Sequence, residues 1–370
     1  MNFTVDQTQF SKSLQNVSRF VAARSQLPIL NNILIETDKD QIKLTATNLE
    51  LTIQEIIPAK VESPGKITVP AGELTEFINY LSAGKLTANL TENNLLEINS
   101  DKQSATFATQ TTEDFPPLPV FDENKTVELP LSQLATVLEP VIFAAATEDT
   151  RPVLTAILTK FSQDEVSLVA TDGFRLSKAT TILDKPISQE DLTLLIPAKS
   201  YSEVLKISKG QKNIRLAFDS DTSQVCFYLD QVILISRLLQ GDYPDFNRIL
   251  PKSTSTTVTV DKLEFIQAIK VSSVFAKSSA NVVKFKIGTG SIQIFANSPQ
   301  VGKNQSEVEA KIEGKPLEIA FNFRFLLEFL NICKSPTLTI GLNESLTPAL
   351  FKDPASQNLL HVIMPVRLQD

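Results

Sequence analysis

FTVDQTQFSKSL, residues 3–14, decides the fold, because two related stretches occur further along the chain. These are VELPLSQLATVL from Val127 and VTVDKLEFIQAI from Val258. Each combines a short strand-like alternation with apolar residues at helical spacing, and a residue that suits a helix start stands between the two. The residues that open the three predicted helices are Asp6, Pro130 and Asp261.

Three further sets of segments follow in the same order. LTATNLEL, LVATDGFRL and IFANSPQVG align on Ala46, Ala170 and Ala296, and each predicts a strand that runs into a turn. ITVPAGELTEFINYL, LLIPAKSYSEVLKI and IAFNFRFLLEFLNI each predict a strand followed by an amphipathic helix, and DFPPLP and DYPDF end the first two units. The sequence therefore predicts three similar α+β domains with mostly antiparallel sheet, over residues 1–121, 122–250 and 251–370.

Composition excludes several classes of chemistry. The chain of 370 residues has one histidine and two cysteines, and it contains none of the motifs GxxxxGK[ST], GxGxxG or GxSxG. A multi-histidine metal site and a zinc ribbon are therefore excluded. We interpret His361 as a histidine of an edge strand without a catalytic task, and we expect no cofactor and no metal.

The cellular location is predicted from the targeting and membrane signals that the sequence lacks. No stretch approaches the ~20 apolar residues of a membrane span, and MNFTVDQTQF has neither a basic region nor an apolar core of a signal peptide. Cys226 and Cys333 stand far apart and form no disulfide framework. We expect a cytoplasmic protein without a membrane partner.

The charge distribution leaves two interpretations open. The net charge of −7 argues against nucleic-acid binding. Basic side chains nevertheless concentrate modestly on the predicted helices, where Lys12 and Arg19 share one exposed face, as do Lys199 and Lys206. These are either ordinary solvated helix faces or a surface that meets phosphates.

The threefold repeat, together with LPILNNILI, VATDGFRL, DYPDFNRILP and VIMPVRL, resembles the bacterial DNA polymerase III β subunit, the β sliding clamp family, over the whole chain. The resemblance implies three tandem domains of the DNA-clamp fold, with outer antiparallel sheets and inner helices, in a head-to-tail homodimer that forms a ring. It also implies a non-enzymatic processivity factor, because a ring holds double-stranded DNA topologically and without sequence readout. Arg24 and Lys199 match positions expected to face DNA, and Lys12 is the third candidate for such a contact.

The resemblance also implies a hydrophobic groove between the second and third domains. This groove would dock short peptides of the replicative polymerase α subunit, the clamp loader, other polymerases and repair proteins. We expect the Asp172-Gly173 turn to hold Phe174 and Leu176 near the surface, and Arg175 and Arg367 to meet a peptide at the rim. The residues carried over to the groove are Leu154, Thr171, Gly173, Phe174, Arg175, Leu176, Pro244, Arg248, Ile249, Leu346, Pro348, Val362, Met364, Pro365, Val366, Arg367 and Leu368.

By the same resemblance, Phe107 of one chain meets Val274 and Phe275 of the other at the dimer interface. Phe174 stands where many relatives have His, and Val366 stands where many have a second Met, which implies an altered pocket shape. A different class of protein, a repeat-built binding scaffold that never encloses DNA, is the second hypothesis. An enzyme that uses only carboxylates is the third.

Overall fold

A computed structural model describes residues 1–22, 26–122, 126–148, 150–183 and 191–367. The chain divides into two compact units. The first unit consists of Met1–Leu131 and Ser202–Leu238, and the second of Ser132–Tyr201 and Leu239–Asp370. Each unit contains strands of two sequence repeats, so the compact units do not coincide with the repeats. The repeat boundaries near residues 121 and 250 stay a prediction.

The described residues form six α-helices. They are α1 (Gln7–Val17), α2 (Ala71–Tyr80), α3 (Leu131–Ile142), α4 (Ala198–Ile207), α5 (Lys262–Ala276) and α6 (Phe323–Ile332). The predicted helix openers are confirmed: the Asp6 carboxylate accepts from the Gln9 amide, and Asp261 accepts from the Leu263 and Glu264 amides. Pro130 directly precedes α3.

The strands are numbered along the chain. The first ten are β1 (Asn2–Asp6), β2 (Asn32–Asp38), β3 (Gln41–Thr47), β4 (Leu51–Pro58), β5 (Lys60–Ser63), β6 (Gly65–Pro70), β7 (Lys85–Leu90), β8 (Leu95–Asn99), β9 (Ser104–Ala108) and β10 (Thr126–Pro130). Next come β11 (Ala156–Ser162), β12 (Glu165–Thr171), β13 (Arg175–Ile182), β14 (Leu192–Pro197), β15 (Asn213–Asp219), β16 (Gln224–Leu229) and β17 (Val232–Arg237). The last are β18 (Thr256–Asp261), β19 (Val282–Ile287), β20 (Ser291–Ser298), β21 (Gly302–Glu313), β22 (Leu317–Asn322), β23 (Thr337–Leu342), β24 (Ala349–Lys352) and β25 (Leu359–Ile363).

The first unit contains two sheets. One has five strands in the order β5-β1-β7-β8-β9, and the other has eight in the order β10-β15-β16-β17-β4-β3-β2-β6. In the larger sheet, β17 of the second repeat pairs antiparallel with β4 of the first, and Leu234 lies opposite Ile53. Hydrogen bonding therefore continues from one repeat into the next.

The second unit contains one sheet of twelve strands, in the order β14-β11-β12-β13-β25-β24-β23-β18-β21-β20-β19-β22. Here β25 of the third repeat pairs antiparallel with β13 of the second, and His361 lies opposite Ser177. The prediction of mostly antiparallel sheet is confirmed.

Helix α1 packs its apolar stripe onto β3 and β4 of the eight-stranded sheet. Phe10, Leu14 and Val17 are buried, as the helical spacing predicts. Beneath the helix, the buried carboxylate of Glu55 accepts from the Ser13 hydroxyl at 2.6 Å and from the Asn16 side-chain Nδ2 at 3.2 Å. The helix thereby supplies the partners that a buried carboxylate needs.

His361 does not lie in an edge strand, and that prediction is wrong. Its strand β25 lies between β13 and β24, where an interior strand is hydrogen-bonded on both sides. The imidazole is fully buried; its Nδ1 lies 2.6 Å from the Ser177 hydroxyl, and the ring stacks on Phe329 with centroids 4.5 Å apart. Burial, aided by the charge of Arg175, lowers the pKa of His361 to about 3, so the ring is neutral at physiological pH.

Candidate functional site

The turn between β12 and β13 presents Phe174 to solvent. The Asp172 carboxylate accepts from the amides of Phe174 and Arg175 at 2.9 and 3.0 Å. The Thr171 hydroxyl donates to the Arg175 carbonyl at 2.6 Å and accepts from the Gly173 amide at 3.1 Å. Gly173 takes φ +92°, a conformation in which glycine has no Cβ penalty. The closed turn leaves the Phe174 side chain 63% exposed.

Below the turn lies an apolar floor. Leu176 and Val362 are directly opposite each other on β13 and β25, and both are fully buried. Ile249 packs against the same cluster, so the structure brings three of the predicted groove residues together. Leu176 contributes to the floor and not to the surface, because it points to the buried side of its strand. The other buried members of the cluster are Ala156, Leu158, Val169, Leu195, Phe246 and Leu350.

The segment after β25 runs beside the turn. The Met364 amide donates to the Phe174 carbonyl at 2.8 Å, and the Val366 amide donates to the Ala320 carbonyl at 2.8 Å. Met364, Pro365 and Val366 are half-buried, and Arg367 is exposed. Backbone bonds thus fix the segment while leaving part of each side chain accessible. Leu368 lies outside the described residues.

Arg175 is not available at the rim, and the expectation that it meets a peptide there is wrong. Its side chain is only 8% exposed. Nε donates to Asp172 at 2.9 Å, Nη2 donates to the Phe143 carbonyl at 2.7 Å, and Nη1 donates to Glu328. The guanidinium also lies 4.7 Å from the ring centroid of Phe325. Arg175 therefore supports the turn from behind.

Phe325 is a member of the site that the sequence comparison between repeats did not supply. Its ring stacks on Phe174 with centroids 6.4 Å apart and an interplanar angle of 19°. It lies on α6, outside the buried stripe of Phe323, Leu326, Phe329 and Leu330. The sequence did contain a signal for Phe325, because it is an aromatic residue away from the buried face of an amphipathic helix.

The remaining predicted residues surround this centre with different exposures. Leu154 is buried in the 3₁₀ turn Pro152–Thr155. Pro244 and Arg248 are exposed, and Arg248 Nε donates to Asp245 at 3.0 Å. Leu346 is 56% exposed and Pro348 is half-buried. Exposed apolar side chains at a fixed turn suit recognition of a partner better than they suit chemistry.

Within the described ranges, no three His, Cys, Asp or Glu side chains come together as a metal would require. In the same ranges, no helix is both long enough and apolar enough to cross a membrane. Cys226 and Cys333 are buried free thiols, and burial raises the pKa of each to about 12. Neither thiol is activated as a nucleophile.

Comparison with known proteins identifies the family. The models for the DNA polymerase III beta subunit match residues 1–119 (N-terminal domain), 128–245 (central domain) and 247–367 (C-terminal domain). The beta sliding clamp of Chlamydia pneumoniae is 30% identical over 372 residues, with all of both chains covered. The chain belongs to the DNA polymerase III beta subunit family.

The structural match to this family spans the whole chain. The DNA polymerase sliding clamp of Bacillus subtilis superposes with a TM-score of 0.94 at 29% identity, and all of both chains is covered. The beta subunit of Streptococcus pyogenes superposes with a TM-score of 0.94 at 26% identity and the same coverage. Three tandem clamp domains are therefore present, and the chain is a non-enzymatic processivity clamp of a DNA polymerase.

The DNA-facing residues expected for a clamp have different settings. Lys12 on α1 and Lys199 on α4 are exposed. Arg24 lies outside the described residues. Arg19, which the sequence placed on the face of Lys12, forms an ion pair with Glu203 at 3.2 Å. Its charge is therefore partly satisfied within the chain, whereas Lys12 has no ion pair among the described residues.

The residues expected at the clamp's dimer interface lie at strand edges or on an open helix face. Phe107 is on β9, the outermost strand of the five-stranded sheet, and is half-buried against Phe77 with ring centroids 5.6 Å apart. Val274 is 57% exposed on α5, and Phe275 beside it is half-buried. None of these three side chains is fully buried in a single copy of the chain.

Proposed function

We propose that two copies of this chain join head to tail into a ring that encloses double-stranded DNA. We also propose that each copy docks partner proteins through a groove around Phe174. The observation that carries the docking role is the apolar surface at the turn, where Phe174 stacks on Phe325 and Met364 is bonded to the Phe174 carbonyl. The partners would be the replicative polymerase α subunit, the clamp loader, other polymerases and repair proteins. Because these act on the chromosome, we place the protein in the cytoplasm.

The first repeat contains a second copy of the turn, which serves as an internal control. The Asn48 side chain accepts from the amides of Glu50 and Leu51, as Asp172 does in the second repeat. The Arg237 amide donates to the Glu50 carbonyl at 3.0 Å, as Met364 does to Phe174. The backbone is the same, yet Glu50 and Arg237 replace the two apolar side chains. This difference supports docking at the second turn and not at the first.

The adaptable side chains of the groove support a site for several partners. Methionine and flat aromatic rings accept different apolar side chains with little loss of contact. Leu346 adds a further exposed apolar side chain, and Arg367 adds a positive charge at the rim. A short extended peptide with apolar residues and an acidic or amide group matches this surface.

Lys12 and Lys199 support loose contact with DNA. A ring retains DNA by enclosure, so the net charge of −7 needs only local compensation by lysines that meet phosphates. Exposed lysines that form no ion pair among the described residues can exchange one phosphate for the next, which suits sliding.

Retention on circular DNA tests the ring. The protein, loaded with its clamp loader and ATP, should stay on a nicked circular plasmid during gel filtration and leave once the plasmid is cut. Sedimentation of the free protein should give a dimer. Equal retention on the circular and linear forms would refute enclosure and favour the scaffold hypothesis.

A further inference from the structure

The strand pairings of the sheets repeat residue for residue. In the first unit, one row of directly opposed residues is Val127, Leu216, Phe227, Leu234, Ile53 and Ala46. In the second unit, the same row is Val258, Ile340, Phe351, His361, Ser177 and Ala170. Both rows begin at corresponding residues of two repeats and end at the aligned alanines, so the pairing of one repeat with the next has a fixed register.

A third row is present in two separate parts. One part is Phe3, Ala88, Ile98 and Ala105, and it stops there because β9 is the outermost strand of its sheet. The other part is Asn304 and Ala296, in the stretch of β21 over residues 302–306, which pairs only with β20 among the described strands. Ala105 and Asn304 are thus the open ends of one interrupted row.

Each repeat also carries a glutamate at the same place. The three helices α2, α4 and α6 have ten residues each, and the sixth residue is Glu76, Glu203 or Glu328. Two of these carboxylates hold an arginine supplied from the neighbouring repeat. Glu203 pairs with Arg19, and Glu328 accepts from Arg175. An ion pair therefore accompanies the strand pairing at both complete rows.

The third glutamate has no ion pair among the residues that the structure describes. Glu76 is exposed, and among the described residues its only hydrogen bond is from the Tyr80 hydroxyl at 3.4 Å. The position in the third repeat that corresponds to Arg19 is Val274, since Phe10 and Phe265 correspond and each lies nine residues earlier. Lys270 lies four residues before Val274 on the exposed face of α5, and Lys277, the C-cap residue of that helix, lies three residues after it. Neither has an ion pair within the described ranges.

We propose that a second copy of the chain completes the third row in this same register. Ala105 of one copy then lies opposite Asn304 of the other, and Thr106 lies opposite Lys303. Glu76 of the first copy takes the ammonium groups of Lys270 and Lys277 of the second. This inference rests on the proposed head-to-tail dimer and adds its register and the charged pair that orients it.

The apolar surroundings agree with this register. Phe107 falls opposite Gly302, where a built Cβ would already lie 3.9 Å from the ring of Phe275. The absence of a side chain at Gly302 leaves room for the Phe107 ring beside Phe275. On the open strand edges, unpaired backbone groups of both copies become hydrogen-bonded.

Paired cysteines test the register. Directly opposed residues of antiparallel strands have Cα atoms about 4.5–5.5 Å apart, within the range for a disulfide, whereas diagonal neighbours are about 7–8 Å apart. Thr106→Cys with Lys303→Cys should therefore give a covalent dimer on mild oxidation. Thr106→Cys with Gln305→Cys is the matched control and should remain mostly monomeric in a denaturing gel. The native cysteines are buried and do not interfere.

Charge reversal tests the ion pair. Glu76→Lys places three ammonium groups together and should raise the dimer dissociation constant about tenfold at low salt. Combining it with Lys270→Glu and Lys277→Glu should restore the dimer. The control Glu73→Lys changes the charge of α2 equally, but Glu73 does not correspond to Glu203 or Glu328. It should therefore raise the dimer dissociation constant less.

The outcomes separate this inference from the function on which it rests. A wild-type protein that sediments as a monomer at micromolar concentration would refute the dimer itself. If the wild type is a dimer but Thr106→Cys cross-links with Gln305→Cys and not with Lys303→Cys, the register is refuted. If Glu76→Lys and Glu73→Lys weaken the dimer equally, or the reversed lysines give no rescue, the ion pair is refuted.

Discussion

At the scale of single residues, Arg175 shows how a buried charged side chain can support the turn of the proposed docking site from behind. Its three donor atoms are bonded to Asp172, Glu328 and the Phe143 carbonyl, so the turn that carries Phe174 is held against α6. Hydrogen bonds to charged groups in a buried setting each contribute about 1.5–3 kcal/mol. Sequence comparison identified Arg175 as a groove residue, but it could not give the direction of the side chain, which depends on α6 about 150 residues away.

Phe174 should be the strongest anchor for a docked peptide. We expect Phe174→Ala to weaken binding of a fluorescein-labelled peptide, taken from the clamp-binding segment of the replicative polymerase α subunit, by about tenfold or more. The matched control is Glu50→Ala, which truncates the corresponding residue of the first turn and should leave the affinity unchanged. Fluorescence anisotropy measures both variants, and equal losses would exclude the second turn as the specific site.

His361 should make the folded state less stable in mild acid. Its folded pKa of about 3 lies below the unfolded value of 6.5, so the unfolded chain binds the proton first as the pH falls. Stability from the neutral ring is therefore complete above pH 6.5 and is lost between pH 6.5 and about 3, at up to about 1.4 kcal/mol per pH unit. In His361→Phe, which keeps the stacking on Phe329, urea titrations from pH 7 to pH 5 should give a shallower slope than the wild type. Parallel slopes would contradict this assignment.

At the scale of secondary-structure elements, the sequence predicted the kind and order of the pieces better than their connections. The alternation of FTVDQ and the caps Asp6 and Asp261 are local signals, and the structure confirms them. The pairing of β25 with β13 was not predicted, because hydrogen bonds between distant strands leave no periodic mark in either strand. The wrong edge-strand assignment of His361 has the same cause.

The paired turns predict opposite effects of glycine. Leu49 has φ +73° and Gly173 has φ +92°, although side chains strain the backbone in this region. We expect Leu49→Gly to raise the free energy of unfolding by about 0.5–1 kcal/mol, and Gly173→Ala to lower it by about 1 kcal/mol. Gly210→Ala, at φ +89° with nothing within 4 Å of the new Cβ, is the control for conformational strain alone. Urea denaturation compares all three, and stabilisation by Gly173→Ala would overturn the argument.

At the scale of the whole molecule, an acidic protein can hold DNA because enclosure and attraction are separate properties. Because enclosure retains the duplex, the basic residues need only make weak contacts with phosphates that exchange easily. A few exposed lysines suffice for this. The sequence predicted the repeat and the identity of Lys12 and Lys199, but it could not show that Arg19 is engaged by Glu203.

Replacing Lys12 and Lys199 with glutamine should reduce the salt dependence of DNA retention. Each lost phosphate contact lowers the slope of log affinity against log salt by about one. The control is Lys66→Gln with Lys284→Gln, which removes two strand lysines already paired with Glu36 and Glu318. The measurement is retention on circular DNA at about 50 to 200 mM salt, the range over which phosphate contacts change the affinity strongly. An unchanged slope in the first variant would show that these lysines do not meet phosphates.

The pairing of β13 with β25 also constrains how the protein is made. Ser177 and His361 are 184 residues apart in the chain, and β25 is the last strand among the described residues. At about 5–20 residues per second, a ribosome takes roughly 10–40 s to travel from the first strand to the second. During that time the edge of β13 that pairs with β25 is open, and the twelve-stranded sheet cannot be completed before β25 is made. Until β25 is made, the open strand edge favours aggregation of the nascent chain, and a chain truncated before Leu359 would keep that edge exposed.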